Sequence, residues 1–188
     1  MNILSKTVRI ITVPPLIAAV TATLLYFLGN NFFSGISHYI AALAALTVFP
    51  LLAYPISLIK PAEVRRSFQR RLAIILSVTG YIAGFVFALV TDAVSGETVL
   101  FSTYLLSGIL TALSTFILKI KSSGHACGVS GPAAVLSYYL SPWFLLSYLL
   151  LIPVFWSSLR LGRHTVPQLI SGSVMPVICL FISILIFT

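Results

Sequence analysis

Apolar residues run along this chain for about 20 positions at a time, and polar residues are confined to short islands between the runs. The long runs cover residues 7–29, 36–59, 72–92, 98–118 and 165–187. About 20 helical residues cross the ~30 Å hydrocarbon core of a bilayer, so each run predicts a membrane-spanning helix. Lys6 and Arg9 precede the first run, as in a signal peptide. That run is long, contains Pro14-Pro15 and ends at Gly29-Asn30-Asn31 without a small-residue cleavage site, so it reads as a retained span.

The stretch from Ala126 to Leu159 decides the geometry. A single helix there would carry His164 to the opposite side of the membrane from His125. A break at Ser141-Pro142 gives instead a hairpin with arms of about 16 and 17 residues, each about 25 Å long. Proline favours the break, because it lacks a backbone donor and disfavours helix at the residue before it. Trp143 and Trp156 then fall in the two interfacial belts. The hairpin completes an all-α, polytopic transmembrane bundle of six to seven segments. Residues 1–188 read as one integral membrane domain.

Composition narrows the class. The chain is 59% hydrophobic and 7% charged, with a mean hydropathy of +1.10, which leaves too little charge to cover a soluble surface. Eleven basic residues stand against three acidic ones, Glu63, Asp92 and Glu97. So few carboxylates argue against two-metal phosphoryl transfer or a magnesium-dependent transferase, and no metal or other cofactor is expected. None of the acids lies mid-span, where a proton-coupled transporter usually has one. Cys127 and Cys179 form no ligand pattern and read as packing residues.

The basic residues fall in four clusters: Lys6 and Arg9, Lys60 to Arg71, Lys119 and Lys121, and Arg160 and Arg163. With the hairpin, all of them share one face, which the positive-inside rule makes cytoplasmic. The Lys60–Arg71 stretch reads as an amphipathic interfacial turn that meets anionic headgroups. The partners expected are membrane lipids rather than nucleic acid.

Two of the three histidines stand on that face, each at the mouth of an apolar run. Ser122-Ser123-Gly124-His125 opens a helix whose unpaired N–H groups and positive dipole end suit phosphate oxygens, with Lys119 and Lys121 just upstream. Arg160-Leu161-Gly162-Arg163-His164-Thr165 precedes the last run. Thr165 can cap the helix that Pro167 starts, and Gln168 lies one turn beyond His164, where it can hydrogen-bond the ring. Two imidazoles beside fixed cations can run phosphoryl transfer without a metal, one attacking phosphorus and the other protonating the leaving oxygen.

The order Ser-Gly-His, helical hairpin, Gly-Arg-His-Thr resembles the phosphatidic acid phosphatase type 2 superfamily over residues 98–188. Aligned on the histidines, Ser123-Gly124-His125 agree with that family's second motif, and Ser122 replaces its proline. In the third motif Ser157 and His164 agree, while Ser158 stands at the arginine and Gln168 at the aspartate. The first motif is absent, with Lys119 and Lys121 where it would lie. The resemblance implies a phosphatase-like core acting on a lipid phosphate or isoprenoid diphosphate through a phosphohistidine. His164 would be the nucleophile, His125 the general acid, and Gln168 the residue that orients His164. Lys119, Lys121, Ser123, Gly124, Arg160 and Arg163 would hold phosphate. The rival readings are a non-catalytic lipid-phosphate binding or scaffold protein and a small anionic-lipid transporter.

Overall fold

The computed structural model describes residues 3–188, without the side chain of Lys6, which therefore lies outside the described residues. Every regular element described is helical. We number them α1 (Ile3–Ile11), α2 (Pro14–Leu28), α3 (Ile36–Ser57), α4 (Ala62–Val90), α5 (Ser95–Phe116), α6 (Gly124–Tyr139), α7 (Pro142–Arg160) and α8 (Val166–Phe187). Five of these, α3, α4, α5, α7 and α8, are long and apolar enough to cross a membrane, and α1 with α2 makes a sixth as a bent pair.

The outside of the bundle is apolar, unlike that of a soluble protein, and its interior mixes apolar residues such as Leu25, Leu100 and Phe101 with small polar ones. Ser102, Ser107, Ser130, Ser183, Thr21 and Thr103 are buried, while Trp143, Leu145, Phe181 and Ile186 project outward. Lipid solvates apolar surface, so helices in a membrane associate through small residues, close packing and interhelical hydrogen bonds rather than through a hydrophobic interior. The Ser102 and Ser183 hydroxyls meet at 2.7 Å between α5 and α8. The chain is a multi-pass helical membrane protein.

Helix α8 packs against α5 and α6, α4 against α5 and α3, and α2 against α6 and α3. The hairpin is present. Helix α6 ends at Tyr139, Ser141 caps the return with its hydroxyl on the Trp143 N–H, and Pro142 opens α7. Its second arm is longer than the residue count alone gave. Pro142–Leu150 is a 3-10 stretch, which rises about 2.0 Å per residue, so α7 spans about 33 Å rather than 25 Å.

Two other elements depart from the sequence reading. The first run breaks at Thr12-Val13, where Val13 is extended (φ −62°, ψ 128°) because Pro14 follows it, and α1 turns away from α2 by 41°. Helix α1 packs instead against α7. The Lys60–Arg71 stretch is not a turn: Pro61 sits at the N-cap and the helix is continuous from Ala62. At 29 residues α4 is about 43 Å long, so its first turns, carrying Arg65, Arg66, Arg70 and Arg71, extend beyond the apolar part.

Candidate active site

Local sequence signals place the two histidines. Ser123 is the N-cap of α6, its hydroxyl accepting the Ala126 N–H at 3.3 Å, which puts His125 in the first turn. Helix α7 ends in a Schellman turn: Gly162 is left-handed (φ +57°), its N–H donates to the Leu159 carbonyl at 2.9 Å, and the Arg163 N–H reaches the Ser158 carbonyl at 3.0 Å. That turn delivers Arg163 and His164 to the entrance of α8. There Thr165 is the N-cap, and its N–H donates to Gln168 Oε1 at 3.2 Å in a capping box.

The two entrances are tied together. The Ser123 N–H donates to the Gln168 carbonyl at 3.0 Å, and the Ser122 and Ser171 hydroxyls meet at 3.2 Å. Gly172 makes this approach possible, since a Cβ there would stand 2.5 Å from the Ser123 carbonyl oxygen. His164 Nδ1 donates to the Lys121 carbonyl at 3.0 Å. His125 and His164 therefore occupy the same end of the bundle.

The tautomer of each ring follows from its partners. His164 has its Nδ1–H on a carbonyl, which leaves Nε2 as the free lone pair. Burial and then the nearby Arg70 charge hold its pKa below the ordinary histidine value, against the Lys121 carbonyl and the adjacent Gln168 side chain, which favour the proton. The neutral form, the nucleophilic one, is thus favoured. The hydrogen bond that orients His164 comes from the Lys121 backbone carbonyl, while Gln168 Oε1 accepts the Thr165 N–H in the capping box.

His125 is differently held. Arg9 Nη2 lies 3.2 Å from His125 Nδ1, and the Arg9 carbonyl lies 3.3 Å from His125 Nε2. A guanidinium has donors only. Nδ1 must then be the acceptor, and the proton sits on Nε2. A second Arg9 nitrogen, Nη1, donates to the buried Ser158 hydroxyl at 3.0 Å. The charged neighbours of this guanidinium are Arg163 and Arg66, with the Tyr54 phenol alongside. Arg163 itself is held below the usual arginine range, by burial first and then by Arg66. Among the described residues, none of these arginines pairs with a carboxylate; the ion pair that is formed, His38–Glu97, lies elsewhere.

The other residues picked out by sequence stand as follows. Ser123 is fully buried with both its N–H and hydroxyl engaged in the fold, so it builds the site rather than facing it. Gly124 is open, with nothing within 4 Å of where a Cβ would be. Lys119 and Lys121 are exposed, and Lys119 takes a left-handed backbone (φ +56°) that turns the chain toward His164. Arg160 is exposed with its guanidinium 5.7 Å from the Trp156 ring centroid, away from the cluster. The cations nearest the histidines are instead Arg9, Arg163 and Arg70. Nothing local in the sequence ties α1 to α7, so the pattern gives Arg9 only a place on the basic face.

At the other end of the bundle, Glu97 is fully buried in the first turn of α5 and His38 Nδ1 lies 2.9 Å from its carboxylate. The Ser34 N–H donates to the same group at 3.4 Å. The nearby open cleft lined by Ala88, Asp92, Ser95 and Phe187 holds no histidine. Among the described residues no three histidine, cysteine or acidic side chains converge as metal ligands would. Compared with known proteins, the chain matches no family model, no curated protein and no solved structure.

Proposed function

We propose that this protein is an integral membrane phosphatase that hydrolyses a lipid phosphate or isoprenoid diphosphate without a metal, through a phosphohistidine on His164. The observation that carries the reading is the placement of His125 and His164 at one bundle end, beside arginines that pair with no carboxylate among the described residues. Such a cluster is poised for an anion with several negative oxygens. The long apolar helices suit the lipid tail.

The chemistry assigns one task to each ring. The Nε2 lone pair of His164 attacks phosphorus, an N–P bond forms, and the P–O bond to the lipid breaks. The departing oxygen takes a proton from His125. Water then attacks the phosphohistidine, gives its proton to His125 and releases inorganic phosphate. The Lys121 carbonyl and Gln168 stabilise the positive charge that His164 carries while it is phosphorylated. One departure from the phosphatidic acid phosphatase type 2 pattern falls at Ser158. That residue stands at the family's arginine position, and the Arg9 guanidinium reaches its hydroxyl at 3.0 Å from another helix.

A second reading, a lipid-phosphate binding protein without turnover, draws on the engagement of both His125 ring nitrogens by Arg9. Phosphate release from a panel of lipid phosphates and diphosphates, by purified protein in detergent with EDTA, separates the two. Release that survives EDTA and requires His164 is expected. Saturable lipid-phosphate binding with no release establishes the second reading.

A further inference from the structure

Arg9 makes three contacts that cannot all persist if His125 is to give up a proton. The guanidinium blocks Nδ1 at 3.2 Å, its other arm is anchored on Ser158 at 3.0 Å, and its own backbone carbonyl holds Nε2–H at 3.3 Å. A neutral imidazole is a very poor acid, because losing its only N–H proton leaves an imidazolate. His125 becomes a useful acid only as the imidazolium, which requires a proton on Nδ1, where Arg9 now donates.

We propose that Arg9 is an anion-operated switch: a phosphate group draws its guanidinium away from His125 Nδ1 and Ser158, and His125 then takes a proton from solvent at that nitrogen. The proposal rests on the phosphatase reading for its use in catalysis, though not for the binding event itself. The Nε2–H bond to the Arg9 carbonyl can survive the exchange, because it belongs to the backbone of α1 and not to the guanidinium. The ring keeps its orientation, and the new Nδ1–H points to the place the guanidinium left, where the phosphate now lies. After that proton passes to the leaving oxygen, Nδ1 is again a lone pair. It can take the proton of the attacking water, release it to solvent as phosphate departs, and then receive Arg9 back.

Charge favours coupling of the two steps. The groups facing His125 are cationic or neutral: Arg9 from α1, and Arg163 and His164 from the α7–α8 turn. Behind them stand Arg66 and Arg70 from α4 and Tyr54 from α3, and no carboxylate among the described residues joins them. A proton added to His125 beside these cations is disfavoured. Once phosphate oxygens lie there, the same proton is attracted. Anion binding and charging of the acid thus become one event, and water alone does not arm the site.

The test is calorimetric titration of the full-length protein in detergent with inorganic phosphate at pH 7.5, in two buffers of different ionisation enthalpy. Wild type should take up close to one proton more per phosphate bound than His125→Gln, because the phosphate's own ionisation, which also titrates in this range, contributes alike to both. Arg9→Met should bind phosphate about 10- to 100-fold more weakly, the loss expected for charge-assisted hydrogen bonds. His125→Gln keeps Arg9 but loses the proton coupled to binding, so it should bind phosphate about 10-fold more weakly and without the additional proton. It therefore remains informative if Arg9→Met proves unstable. Equal phosphate affinity in Arg9→Met, or proton uptake that is the same in wild type and His125→Gln, overturns the switch. If lipid phosphates are not hydrolysed while these binding results hold, the phosphatase reading fails and the switch stands. If hydrolysis is intact and Arg9→Met matches wild type in phosphate binding, the switch alone fails.

Discussion

The two ends of this bundle each carry histidine, and they use it in opposite ways. At one end His38 meets the buried Glu97 carboxylate at 2.9 Å, and the Ser34 N–H joins it, so the carboxylate finds its hydrogen-bond partners within the fold. At the other end His125 and His164 are surrounded by Arg9, Arg66, Arg70 and Arg163, and neither ring touches a carboxylate. A matched pair closes two helices together. An unmatched cluster of cations stores repulsion that an incoming anion relieves. The contrast marks the first as structural and the second as the site where phosphate chemistry is expected.

The sharpest way to break this comparison is to remove one residue at each end. His164→Ala should reduce lipid-phosphate turnover to background, a loss on the order of 10⁴-fold, with thermal stability nearly unchanged, because nothing nearby can replace the nucleophile. Glu97→Ala should do the reverse. It leaves His38 and the Ser34 N–H without their partner, so thermal unfolding should show a loss of about 3–5 kcal/mol, while turnover per folded molecule stays at the wild-type level. Loss of turnover in well-folded Glu97→Ala would erase the distinction between the ends.

A smaller effect concerns pH. His164 must be neutral to attack, and burial together with Arg70 keeps its pKa below the ordinary value of about 6.5. Activity should therefore persist to lower pH than an ordinary histidine would allow. Arg70→Gln removes one of the charges that disfavour the proton, so the acid limb of kcat/KM should move to higher pH, and activity at pH 6 should fall relative to pH 8. An acid limb that does not move would take Arg70 out of the site.

Much of the architecture could be read from the chain, and the reasons are local. Apolar runs of span length fix helices, Ser141-Pro142 stops one of them, and Gly162 with Thr165 marks the turn before the last. Given that hairpin, the distribution of lysine and arginine was enough to bring His125 and His164 to one face. What could not be read depends on contacts between residues far apart in sequence. Arg9 reaches His125 only because Pro14 bends α1 away from α2 and onto α7, and His38 finds Glu97 across two helices. The arginines of α4 gave no sign of belonging to a helix, because the apolar pattern begins only after them. Charge alone does not show that the Arg160 side chain lies over Trp156, four residues back on the same helix.

The smallest effects expected are at the exposed cations. Arg160→Gln should leave kcat/KM within twofold of wild type. Lys119→Gly removes a cation from the loop before α6 but relaxes a left-handed backbone, which costs a side-chain-bearing residue about 1 kcal/mol. It should raise thermal stability slightly without loss of turnover. A tenfold fall in turnover in either variant would return these side chains to the phosphate site.

The central claim is that His164 carries phosphate covalently, and rapid quenching tests it directly. Purified protein is mixed with a lipid phosphate labelled at phosphorus, in EDTA, then denatured in alkali and analysed by mass spectrometry. The account requires phosphate on His164, labile to acid, stable to base, absent from His164→Ala, and accumulating in His125→Gln if breakdown needs that ring. Phosphate found on a serine or an aspartate would contradict it, as would turnover in wild type that survives intact in His164→Ala.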